Sequence, residues 1–276
     1  MAGSEIRIWH QSFTVLENLP DYAGALRAHM AKVSRPGTEV VLHGMHPDTY
    51  ATEYPGADIR FTYLYLLHAQ QFAVNGLSAQ RQGFDAYAIS TLPDPLLRET
   101  RSLLEIPVVG YGEAAMHLAC FLGQRFGILV FIDALVPLLE ENARRYGLAG
   151  RMAGVRHAGF QFSDVAAAFA NPGPVVERFQ EAARRMIADG ADVLIPGEAV
   201  LCVLLASQGV SRVDDVPVVD ALAATVKMAE ALVDLRRIAG LEVSRKGHFN
   251  AAPPRGRVAE LLRFYGLDRF GGVTGA

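Results

Sequence analysis

From Ile6 to Ala239 the chain alternates short apolar runs with longer amphipathic ones, and this alternation restricts it to few folds. Ile6–Trp9, Glu39–His43, Phe84–Ser90, Pro107–Gly110, Phe126–Phe131, Gly154–His157, Asp192–Ile195 and Val218–Val219 read as strands. Helical spacing covers Asp21–Val33, Phe61–Arg81, Leu96–Leu104, Glu113–Leu122, Leu135–Tyr146, Val175–Asp189, Glu198–Gln208 and Ala221–Ala239. Strands joined by helices of this length require parallel pairing, so the fold class is α/β. Asp21, following Pro20, is the expected N-cap of the first helix. The tail from Glu242 is rich in Gly, Pro and Arg and is expected to be less ordered.

The composition supports a large core: of 276 residues, 51% are hydrophobic and 20% charged. A net charge of −3, with its arginines scattered in pairs on helix faces, argues against nucleic acid and anionic membrane as partners. A small molecule is the expected partner, and an apolar stretch such as Phe61–Phe72 allows a homo-oligomer interface or a core role. Cys120 and Cys202 sit in apolar helical runs and are expected as buried, reduced thiols. With no signal-peptide pattern and no uncharged run of membrane-spanning length, the expected location is cytoplasmic.

Ligands of open parallel sheets bind beyond the carboxyl ends of the strands. His43–His46, Ser90–Asp94, Gly112–Glu113 and Gly197–Glu198 are expected there. Glu198 reads as a general acid/base or metal ligand, or as a first-turn glutamate favoured by the helix dipole. Glu113 has the same two readings, and the structural one leads. Thr91, beside Ser90, is a carbonyl or carboxylate binder or a strand-end hydroxyl closing a turn with Asp94. His43 and His46, with Glu198, form a candidate set for a divalent ion such as zinc or manganese, although His-x-x-His is a weak signal. Phosphate-binding glycine loops and the Gly-x-Ser-x-Gly elbow are absent. Gly112-Glu113-Ala114 and Gly197-Glu198-Ala199 both follow a strand and open a helix, which suggests related halves.

Four segments carry a family resemblance. Phe84-Asp-Ala-Tyr-Ala-Ile-Ser-Thr-Leu-Pro-Asp-Pro resembles the first catalytic loop of the aspartate/glutamate/hydantoin racemase superfamily, in its hydantoin racemase-like branch. Ile106-Pro-Val-Val-Gly-Tyr-Gly-Glu-Ala-Ala resembles the segment after it, and Gly190-Ala-Asp-Val-Leu-Ile-Pro-Gly-Glu-Ala the second catalytic loop. Val218-Val-Asp-Ala-Leu resembles the start of the closing strand and helix. The resemblance implies two pseudo-symmetric lobes, each a parallel sheet flanked by helices, with the active site in the cleft between them. It divides the chain into 1–112 with 218–245, 113–217, and a tail 246–276. Racemases of this family use one cysteine from each lobe; here Thr91 and Glu198 stand in those positions, and neither Cys120 nor Cys202 does.

A two-base reaction needs a proton carrier on each face of the substrate carbon, and threonine is not one. The leading expectation is therefore hydrolysis of a hydantoin-like or cyclic amide ring, with Glu198 activating water, Thr91 holding a carbonyl, and Ser90, Gly112, Glu113, Gly197 and His43 around the substrate. A racemase or isomerase, or a lyase or decarboxylase, working through a single base is the alternative. A catalytically silent small-molecule binder on the same scaffold is the third reading.

Overall fold

The computed structural model describes residues 5–52 and 54–270. Strands β1 (Ile6–Gln11), β2 (Thr38–His43), β3 (Ala86–Ile89) and β4 (Val108–Gly110) form a parallel sheet in the order β2-β1-β3-β4. The apolar runs of the second half, β5 (Phe126–Val130), β6 (Met152–His157) and β7 (Val193–Pro196), form a second parallel sheet in the order β6-β5-β7. Val218 adds a single parallel bridge to Leu194 of β7, where a short strand was expected. With that bridge the second sheet repeats the order of the first, strand for strand. The central strands β3, β5 and β7 are buried along their whole length, which explains their continuous apolar sequence.

Helices α1 (Pro20–Val33), α2 (Gly56–Ile59), α3 (Thr62–Arg81), α4 (Leu97–Leu103) and α5 (Tyr111–Leu122) connect and follow the first sheet. Helices α6 (Val136–Arg145), α7 (Phe162–Ala167), α8 (Gly173–Ala188), α9 (Ala199–Ser207) and α10 (Ala221–Ala239) do so for the second. The last helix of each half crosses over. α5 packs on β5 and β7, α10 packs on β1, β3 and β4, and the two helices pack on each other.

Local chemistry sets the helix ends. α1 starts with Pro20, whose fixed φ and missing N–H suit the first turn. Asp21 therefore lies inside that turn, and Leu19 takes the cap position without a side-chain bond, which corrects the expected Asp21 cap. α10 is capped by Asp220, whose carboxylate accepts from the Ala223 N–H at 2.9 Å, and it stops at Gly240 in the left-handed region (φ 64°). The pattern reading missed α7, six residues long and held by a reciprocal Gln161–Asp164 capping box, and the hairpin of β8 (Arg212–Val213) and β9 (Val216–Pro217). The tail is also more regular than expected: α11 (Arg255–Phe264) and a 3-10 turn at Asp268–Phe270 follow Pro254, while residues 271–276 lie outside the described residues. Among the described residues no helix is long and apolar enough to cross a membrane.

Candidate active site

Strand order decides which loops meet. In the first sheet the chain leaves β1 toward β2 on one side and returns to β3 on the other, so the crevice opens between the ends of β1 and β3. In the second sheet the same reversal lies between β5 and β7. The loops from these four strands enclose one cavity of ≈ 60 Å³. Ser12 and Thr14 enter it after β1, and Ser90 and Thr91 after β3; Phe131 and Ile132 enter after β5, and Glu198 after β7. Thr91 and Glu198 each stand two residues beyond their strand, at matching places in the two sheets.

Glu198 is the N-cap residue of α9 with extended backbone angles. Its Oε1 accepts from the backbone N–H of Phe131 at 3.0 Å and of Ile132 at 3.2 Å, both at the end of β5. Its Oε2 is buried with no hydrogen-bond partner. Burial without a cation alongside pushes the carboxyl up to about 8, and the two backbone bonds only partly oppose that rise. Gly197 is required by packing: a Cβ there would lie 2.5 Å from Val130 Cγ1 and 2.9 Å from the Leu129 carbonyl oxygen. Its N–H donates to that carbonyl at 2.8 Å. Gly197 thus sets the backbone that aims Glu198, and it does not itself line the cavity.

On the other sheet Ser90 is buried, lines the cavity and keeps a hydroxyl with no partner. The Ser90–Asp94 loop is fixed from outside. The Asp94 carboxylate accepts from the Gly112 and Glu113 N–H groups at 2.9 and 2.8 Å and from the Tyr146 hydroxyl at 2.6 Å. Asn142 of α6 donates to the Pro93 carbonyl at 2.9 Å. Burial pushes Asp94 up to about 7 despite the hydrogen bonds that oppose it. Aromatic rings close the cavity: Tyr54, from the loop after β2, stacks face to face on Phe162 of α7 with centroids 4.0 Å apart, and Phe131 lies beside both. Among the described lining residues Glu198 is the one carboxyl, and there is no Lys, Arg or His.

Other expected site residues stand elsewhere. His43 ends the edge strand β2, stacks flat on Trp9 with centroids 3.3 Å apart, and bonds the Val41 carbonyl through Nδ1. Its desolvated ring is lowered to about 4. His46 is exposed, with Nδ1 on the Pro47 carbonyl and its ring edge-on to Phe270. Neither histidine lines the cavity with Glu198, and among the described residues no three His, Cys, Asp or Glu side chains are grouped to hold a metal. The set His43, His46 and Glu198 is thus not assembled. Gly112 and Glu113 follow the other edge strand, β4, and are also outside the cavity. Glu113 forms a two-pronged ion pair with Arg101, and Gly112 gives its N–H to Asp94. The Gly-Glu-Ala echo joins non-equivalent places, after the fourth strand of one sheet and the third of the other.

The site residues missed in the sequence are Ser12, Thr14, Tyr54, Phe131 and Phe162. Ser12 and Thr14 were open to discovery, because they follow the first strand of an α/β chain. The aromatic rings had no local signal, since they meet only through the packing of both halves.

The family model described as Asp/Glu/Hydantoin racemase matches residues 21–229. This chain belongs to that family. It is 29% identical over 157 residues to a hydantoin racemase of Pseudomonas sp. (strain NS671), and 32% identical over 152 residues to one of Paenarthrobacter aurescens. Those matches cover 56% and 55% of this chain and 61% and 62% of the relatives, so they span less than two thirds of the relatives' length. Over almost the whole fold it is similar to the allantoin racemase of Klebsiella pneumoniae, with a TM-score of 0.72, 27% identity, and 91% and 95% of the two chains covered. The allantoin racemase of Pseudomonas fluorescens gives a TM-score of 0.70 at 26% identity, over 91% of this chain and 98% of that one. The α/β architecture and the enzyme family are those that the four motifs implied.

Proposed function

We propose that the chain is an isomerase-class enzyme for a hydantoin-type ring, with Glu198 as its single titratable proton carrier. The observation that carries this reading is one desolvated carboxyl in an otherwise uncharged cavity between the two sheets. Hydantoin and allantoin, named for the relatives, are ring ureides with an acidic C–H between a carbonyl and a nitrogen. Glu198 as carboxylate removes that proton from one face; the planar enolate then takes a proton from water on the far face, which inverts the ring carbon, and Glu198 gives its own proton up to solvent. A carboxyl with a pKa about 8 supplies both forms near neutral pH, which is the condition for efficient proton transfer. The Ser90 and Thr91 hydroxyls and the first-turn N–H groups of α9 hold the ring carbonyl as its oxygen gains charge.

Ring hydrolysis, the leading expectation from sequence, gives way to this reading. Its metal-assisted form needed His43 and His46 beside Glu198, and both stand apart. The named relatives are racemases.

The test is proton NMR of a 5-substituted hydantoin in D₂O with the purified protein. Deuterium enters at the ring carbon without ring opening, kcat/KM rises with pH through about 8, and Glu198→Gln lowers the exchange on the order of 100-fold or more. Ring opening without exchange, or full exchange by Glu198→Gln, would sink the reading.

A further inference from the structure

The tail after α10 runs over α4 and α3 and comes to rest against the turn that follows β2. It lies beyond residues 21–229, the span that the family model matches. The Arg245 guanidinium donates to the Arg101 and Ser102 carbonyls at 3.0 and 3.2 Å and to the Leu104 carbonyl, which fills the open end of α4. Phe249 lies under the Arg98 guanidinium at 4.0 Å, and Arg255 pairs with Glu105. Val258, Ala259 and Leu262 of α11 then share a pocket with Leu77 of α3 and Leu103 of α4. The Asp268–Phe270 turn packs on α3, and the Phe270 ring stands edge-on to the His46 ring with centroids 5.7 Å apart.

We infer that this tail is a strap that holds one wall of the cavity in place, with Phe270 as a positioning residue for substrate binding; the part of the claim that concerns substrate rests on the hydantoin reading above. The turn after β2 and the loop after β1 are joined at three points. The Met45 N–H donates to the Thr14 carbonyl at 2.9 Å, and the Val15 N–H donates to the Tyr50 hydroxyl at 2.6 Å. Gly44 lets the two backbones touch, since a Cβ there would lie 2.6 Å from the Thr14 carbonyl oxygen. Ser12 and Thr14 line the cavity, and their hydroxyls share a hydrogen bond of 2.7 Å. On its inner side the turn is held by Gln71 of α3, which accepts from the His46 N–H at 2.9 Å and donates to the Thr49 hydroxyl at 3.0 Å. On its outer side His46, Pro47 and Asp48 are exposed, and Asp48 takes a left-handed φ of 63°, uncommon for a residue other than glycine. Among the described residues, Phe270 is the ring in contact with His46. A turn that swings out takes Thr14 with it, and the wall is then in place in only a fraction of the molecules. Apparent affinity falls by that fraction, while turnover at saturating substrate is unchanged.

Amide hydrogen exchange of the full chain, followed by mass spectrometry, tests the strap without any substrate. In Phe270→Ala, peptides covering residues 12–16 and 43–50 exchange on the order of 3- to 10-fold faster than in the wild type, the loss of one edge-to-face ring contact, while the second sheet keeps its rates. Phe270→Trp keeps the wild-type rates. His46→Ala gives at least the same acceleration, and adding Phe270→Ala to it changes nothing further. With a 5-substituted hydantoin, Phe270→Ala raises KM by a similar factor at unchanged kcat. Unchanged protection of residues 12–16 in Phe270→Ala would overturn the strap, as would acceleration spread over both sheets. Faster amide exchange with an unchanged KM would overturn the positioning role. A wild type that puts no deuterium into the hydantoin counts against the proposed reaction instead, and the protection of residues 12–16 still decides the strap.

Discussion

At the scale of single residues, Glu198 leaves half of its hydrogen-bonding capacity unused in a buried place: Oε1 holds two backbone N–H groups and Oε2 holds none. Its proton therefore bears on stability. Below about pH 4.5 the folded and unfolded chains both carry it; between 4.5 and about 8 only the folded chain does. Stability is lost over that window as pH rises, by up to about 1.4 kcal/mol per unit and a few kcal/mol in all. Glu198→Gln escapes this loss, so in urea unfolding its stability should gain on the wild type from about pH 4.5 to about pH 8. Parallel pH curves for the two proteins would contradict the buried, protonated carboxyl. The matching positions of Thr91 and Glu198 allow a second experiment. A Thr91→Cys, Glu198→Cys double variant places a thiol at both positions, the pair that the family resemblance implies for a two-base racemase, and it should invert a chiral hydantoin on the order of 100-fold faster than either single variant, followed by polarimetry. Gly197 keeps the backbone at 198 fixed whichever side chain it carries.

At the scale of elements, α6 acts as a strut between the halves. Asn142 and, just beyond the helix end, Tyr146 reach the Thr91 loop through Pro93 and Asp94. Asn142→Ala leaves the Pro93 carbonyl without its partner in a buried place, and should cost about 1–3 kcal/mol in chemical denaturation and lower kcat/KM. No change in either would mean that the strut is idle. Elements of this kind mark how far the sequence could be read. Strand and helix order came through because a buried parallel sheet writes itself as apolar runs, as in β3 and β7. Thr91, Ser90 and Glu198 were legible because they follow central or switch-point strands. His43 and Glu113 were not excluded in advance, because only strand order shows that β2 and β4 are edges whose loops end away from the crevice. The Asp21 cap failed where Pro20 already set the first turn, and α11 was hidden in a tail whose composition resembles a linker.

At the scale of the whole molecule, the two sheets repeat one topology but do not stand alone, since each is covered by the helix that ends the other half's run of strands. Heat should then melt the chain in one transition, with calorimetric and van't Hoff enthalpies equal. Two separate transitions would contradict the exchange of α5 and α10. The exchange also matters while the chain is being made. β1 to β4 leave the ribosome first, yet α10, with its buried Leu222, Val226 and Val233, is complete only at Ala239. One face of the first sheet therefore waits, open to chaperones and to neighbouring chains, until the second half has been synthesised.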